Sequence, residues 1–215
     1  MKKNSAIPWW GWCALVLAVI LGIIAYTHLP GQIIGNTNRL IPRRRVVLYF
    51  WYEPAIMLGI ILLWQILWRI DPRRKSYESF WSTYRYIGGV IVVCIGLVYL
   101  VVLGHVIFRI AVMRLIPTAL GVGIMLIANV LPRIQPNWWI GVRTPWTLSS
   151  TECWTRTHRL AGQLGIPAGV IIIVLSWILP VNRIMSLAVL VTMLMLVVIT
   201  AVASFFYTGK HKYVG

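Results

Sequence analysis

The chain has 215 residues, 60% of them hydrophobic and only 11% charged. A soluble domain carries roughly a quarter charged residues, so an ordinary cytosolic globule, a disordered chain and a secreted disulfide scaffold are all excluded. Twenty Lys and Arg against four Asp and Glu give a net charge of +16, and the basic residues fall in the gaps between long apolar blocks. There the lipid bilayer and its anionic head groups are the partner, and no segment remains for a nucleic-acid recognition fold.

A bilayer core of about 30 Å asks for about 20 apolar residues per helix. Six blocks meet or approach that need, at 9–28, 46–68, 86–108, 115–131, 164–179 and 184–207. The first follows Lys2 and Lys3, as in a signal peptide. Its length and the belt of Trp9, Trp10 and Trp12 predict an uncleaved span instead. No short alternating strands appear, so the expected fold is all-α: one integral membrane domain of six transmembrane helices. The gaps on the side of both termini hold 13 of the 20 basic residues. The positive-inside rule places that side in the cytoplasm, although Arg43, Arg44 and Arg45 in the first loop pull the other way. Cys13, Cys94 and Cys153 are scattered and form no CxxC pair, which reads as three small apolar side chains rather than a disulfide or zinc site.

The loop at 132–163 is the informative one. Pro132 and Pro136 end the fourth helix, because neither supplies the backbone donor a continuing helix needs. Ser149 followed by Glu152 has the spacing of a capping box, which predicts a short amphipathic helix before the fifth span. On that helix Trp154, Thr157, His158 and Ala161 share one face, and Arg156 lies off it.

The run Asn137-x-x-x-Gly141-x-Arg143-Thr144-Pro145-Trp146-Thr147-Leu-Ser149, continuing to Trp154-x-x-Thr157-His158-Arg159-x-x-Gly162, resembles the signature of SdpI-like membrane proteins. That family is named for a bacterial immunity protein that protects against a secreted antimicrobial peptide. The resemblance implies a multi-pass protein of the bacterial cytoplasmic membrane, with a toxic peptide as ligand and signalling to a cytoplasmic transcriptional repressor. Many family members carry a His-Trp-Asn-x-x-Gly core after the first span. This chain has Leu29-Pro30 and then Gly35-Asn36-Thr37-Asn38-Arg39, without the His-Trp pair, so the toxin's identity does not carry over.

Arg143 reads in two ways. Its planar fork suits a phosphate, a carboxylate or a partner's C-terminus, or it fixes the loop through backbone carbonyls. Trp138, Trp139 and Trp146 read as interfacial anchors, and no Ser or Cys is placed for His158 to activate. With the termini inside, His28, Glu53 and His105 approach the outer boundary, near Arg39 and Arg44. Ionisable groups at that depth are candidates for toxin contact, and Glu53 for pairing with an arginine of the first loop. Two His and one Glu match zinc chemistry in type, yet no ligand spacing supports it, and no cofactor motif is present.

Three function classes remain to compare. A non-enzymatic immunity protein that sequesters a membrane-active peptide leads. A small transporter is the alternative, weakened by few intramembrane charges and no inverted repeat of broken helices, although Pro167 falls within the fifth span. A lipid-modifying enzyme is third, since four acidic residues leave little for acid–base chemistry.

Overall fold

The structure, a computed structural model, describes residues 5–28, 32–34, 40–108 and 113–208. In chain order these form α1 (Trp9–His28), β1 (Gln32–Ile34), β2 (Leu40–Pro42), α2 (Arg43–Ile70), α3 (Tyr77–Phe108), α4 (Leu115–Val130), α5 (Pro145–Ser149), α6 (Thr151–Ile178) and α7 (Arg183–Thr208). Among the described residues, six helices are long and apolar enough to span a membrane: all but α5. That agrees with the number read from the hydropathy blocks.

Three details differ from the sequence expectation. The first loop contains an antiparallel hairpin, with Ile33 opposite Ile41, so the chain is not wholly helical. Apolar β-branched residues on both sides of a Gly- and Asn-rich stretch of sequence favour such pairing. Helices α3 and α6 begin well before the apolar blocks, and α3 bends at Phe80, where φ is −128° and ψ is 27°. The amphipathic segment is therefore not a separate helix; it is the first turns of α6, and the short separate helix is α5. Pro167 sits inside a continuous α6.

Packing between spans relies on small residues. A β-carbon added to Gly121 of α4 would lie 2.7 Å from the Gly169 carbonyl of α6, and the converse contact would be 2.6 Å. Gly165 of α6 is closed off in the same way by Ala128. In lipid no hydrophobic force separates helix from solvent, so such close backbone approach carries the association. On the other side of the molecule, aromatic rings join α2 to α3. Trp64 stacks on Tyr84 at 5.0 Å, the Trp64 indole donates to the Tyr84 carbonyl (3.2 Å), and the Tyr84 hydroxyl donates to the Trp64 carbonyl (2.5 Å). Each ring thus buries its apolar body with its polar tip satisfied.

Both described chain ends gather at one end of the bundle. Ser5 accepts from the Trp12 indole (3.1 Å) and the Gln65 amide (2.7 Å), while Gln65 accepts from the Ala6 N–H (3.0 Å). The loop between α4 and α6 lies at this same end, as an even number of spans requires.

Candidate functional site

The loop between α4 and α6 is built around Asn137, which is fully buried. Its amide donates to the Gln135 (2.9 Å) and Ile140 (3.1 Å) carbonyls, and its oxygen accepts from the Trp139 (2.9 Å) and Ile140 (2.7 Å) N–H groups. One short side chain so ties up four backbone groups that a buried loop would otherwise leave unpaired.

The chain then turns at Gly141, whose φ of +108° disfavours any residue with a β-carbon. Space forbids one as well, because an added β-carbon would fall 2.0 Å from His158 Nε2. His158 is completely buried and stacks on Trp154 at 4.1 Å. Its Nε2 accepts from the Val142 N–H (3.1 Å), which assigns the remaining proton to Nδ1, donating to the Trp154 carbonyl (2.8 Å). Both ring nitrogens are engaged by backbone. The Trp154 indole in turn donates to the Ile134 carbonyl (2.8 Å). The expected face of Trp154, Thr157, His158 and Ala161 is buried along its whole length, and Arg156 is exposed and paired with Glu152.

The capping box predicted at Ser149 and Glu152 is not formed. Ser149 donates to the Trp146 carbonyl (3.0 Å), and Ser150, one residue on, caps α6 by accepting from the Cys153 N–H (3.3 Å). The capping box belongs to α5 instead: Thr144 accepts from the Thr147 N–H (3.2 Å), and Thr147 accepts from the Thr144 N–H (2.8 Å). Pro145 occupies the first helical turn, where its missing donor costs nothing. Thr147 also donates to the Val142 carbonyl (2.9 Å), closing the loop on itself.

Two outside anchors hold this loop, and neither was read from the sequence. Asp71, buried at the end of α2, accepts from the Trp138 N–H (2.9 Å), the Tyr77 hydroxyl (2.7 Å) and the Arg73 N–H (2.7 Å). Arg73 extends the same junction by donating to the Leu148 carbonyl (2.7 Å). From α7, buried Ser204 accepts from the Trp146 indole (2.5 Å) and sits 3.1 Å from the Thr144 hydroxyl, while Cys153 donates to its carbonyl (3.3 Å). Trp146 packs edge-on against Phe205 at 5.3 Å. The scarcity of acidic residues, four in the chain, is the one sequence feature that singles Asp71 out, and it names no partner.

Arg143 is exposed, and its guanidinium donates to the Trp138 carbonyl, the loop-fixing role of its two readings. Trp138 and Trp139 are exposed beside it, Arg159 is exposed on α6, and Gly162 packs against Ala128 and Pro132. At the opposite end of the bundle Glu53 and His105 are half-buried, on α2 and α3. Arg39 lies outside the described residues, as do the side chains of His28 and Arg44 and the Gly35–Arg39 stretch of the first loop. Among the described residues no group of His, Cys, Asp and Glu is placed to hold a metal ion.

The same loop is where the chain matches a family model, SdpI/YfhL protein family, over residues 133–208. The immunity protein SdpI of Bacillus subtilis (strain 168) is 28% identical over 221 residues, covering 98% of both chains. The SdpI-like resemblance holds. It extends from the loop through α6 and α7 in the family model and across all six spans in the full-length relative. The SdpI-like chain is accordingly a multi-pass cell-membrane protein. No solved structure matches it.

Proposed function

We propose that this protein gives a bacterial cell immunity to a secreted membrane-active peptide, acting as a non-enzymatic binding protein of the cytoplasmic membrane. The near full-length similarity to a protein named for immunity carries this reading. The loop geometry supports it from another direction. Asn137 bonds the Ile140 backbone, and Thr147 and His158 both bond that of Val142, which makes the loop a rigid platform with both nitrogens of His158 engaged.

The basic asymmetry favours the end bearing the loop and both termini as the cytoplasmic one. The toxin then meets the hairpin of the first loop and the far ends of α2 and α3, where Glu53 and His105 are half-buried. The rigid loop presents Arg143, Trp138 and Trp139 inside, where a transcriptional repressor can dock. Expression in a sensitive host challenged with candidate peptides tests the function, and survival above the empty-vector control is the expected result. Survival equal to that control for every peptide of the toxin-producing neighbour strains would sink it. Cysteine labelling tests the orientation: a probe at Asn36 should react in intact cells and one at Thr151 only after permeabilisation.

A further inference from the structure

At the end opposite the signature loop, the starts of α4 and α7 flank a groove of about 470 Å³. Ile116 and Leu120 line one wall, Met185 and Val189 the other, with Asn182 and Ser186 as a polar edge near the mouth. The two polar residues are turned inward to their own chain: Asn182 accepts from the Ile184 N–H (2.9 Å), and the Ser186 hydroxyl contacts the Asn182 carbonyl (3.5 Å). The long axis of the space is therefore apolar.

Two arginines adjoin the lining residues in the chain, Arg114 next to Met113 and Arg183 next to Asn182. Arg183, exposed, stands between Asn182 and Met185 at the start of α7. Arg114, just before α4, donates to the Ser176 carbonyl (3.0 Å) and to the Trp177 carbonyl at the end of α6. Carbonyl partners hold a guanidinium in place without cancelling its charge. The chain's four carboxylates, Glu53, Asp71, Glu78 and Glu152, lie on α2, on α3, between them and at the start of α6. None is on α4, on α7 or in the turn before α7, so the charge at the mouth is complemented by no side chain of these elements.

We infer that this groove is a binding site for one anionic phospholipid, its acyl chain between α4 and α7 and its phosphate at Arg183 and Arg114. Charge and surroundings select this occupant: the groove opens between two helices apolar enough to face lipid, and two arginines with no carboxylate on these elements adjoin it. An acyl chain is narrow enough to lie along it. The bound lipid also fills space between α4 and α7 that in lipid-free packing has no contact partner.

The test is native mass spectrometry of the full-length protein released from mild detergent with phosphatidylglycerol or phosphatidylcholine added. The wild type should retain one phosphatidylglycerol in preference to phosphatidylcholine. Arg183→Gln should lower that retention roughly fivefold, the effect of one cation at an anionic head group. Leu120→Trp should remove it by filling the groove, and Ser186→Phe fills it from the other wall where Leu120→Trp fails to fold. Arg69→Gln, at the far end of the bundle, should leave it unchanged. Equal retention of both lipids overturns the proposal. So does wild-type retention in Arg183→Gln and in a folded groove-filled variant, or a groove-filled variant that changes the oligomeric state while its lipid count stays the same.

Discussion

The two ends of the bundle are built on opposite principles. At the signature end, side chains from the α2–α3 junction, from α7 and from the loop meet in one hydrogen-bonded assembly, through Asp71, Ser204, Asn137 and His158. At the other end, Arg114 and Thr118 tie α4 to the end of α6, and α4 and α7 line an apolar groove. Rigid geometry is concentrated where the chain carries its signature, and adaptable, lipid-accessible surface where it does not. The difference teaches that the signature residues are there chiefly to hold a shape, while Arg143 and Arg159, with Trp138 and Trp139 beside them, present long side chains on its exposed face.

The sharpest way to break that contrast is at Gly141. Gly141→Ala forces a β-carbon into His158 at a positive φ, and strain plus overpacking should destabilise the loop by about 2–5 kcal/mol. An SDS unfolding titration of the purified protein measures it. A loss below that of a typical surface change would mean that the loop is pliable. Next in size is Asp71→Ala, which strips three donors of their acceptor and should cost about 1–3 kcal/mol. Limited proteolysis should then cut between Asn137 and Gly162, a segment expected to resist in the wild type. Unchanged resistance would show that Ser204 alone suffices as an anchor.

Two smaller predictions sharpen the picture within the loop. Ser150→Ala should destabilise the start of α6 by about 0.5–2 kcal/mol, whereas Ser149→Ala, which loses only a bond to the preceding turn, should cost less. Equal losses in parallel unfolding titrations would return the cap to the register expected from the Ser149–Glu152 spacing. Arg143→Ala should change stability least, by roughly 0.5 kcal/mol, because the side chain is exposed. Its effect should appear in recruitment of a cytoplasmic partner, read by membrane co-sedimentation at matched protein abundance. A variant that is severely destabilised yet recruits normally would reverse the assignment.

Much of the fold was legible because the bilayer constrains it so strongly. Six blocks of sufficient length had no other structure open to them, and the buried stripe from Trp154 to Ala161 follows directly from helical spacing. The cap slipped by one residue because Ser149 and Ser150 are adjacent and equally able to cap; the choice between them falls to α5, whose capping box at Thr144 sets where the next helix begins. The start of α3 and the unbroken run of the amphipathic segment into α6 were missed because hydropathy marks where lipid begins, and both helices project beyond that boundary with polar turns. Asp71 and Ser204 were out of reach for a different reason. Their partners are 67 and 58 residues away, and no local pattern encodes a contact between loops that only the assembled bundle brings together.

Ser204 has a consequence for how the protein is made. The loop is synthesised before α7, yet the hydroxyl that receives the Trp146 indole and the carbonyl that receives the Cys153 thiol arrive near the very end of the last helix. Chains emerge and fold from the amino terminus onward, so Asp71 waits for the loop while the loop waits for Ser204. The signature region is then the last part of the molecule to mature, a built-in check that all six spans are inserted before the loop takes shape. Nascent chains arrested before Ser204 leaves the ribosome should be cut by protease within 137–162, and released full-length chains should not; equal protection in both would separate loop closure from completion of the last span.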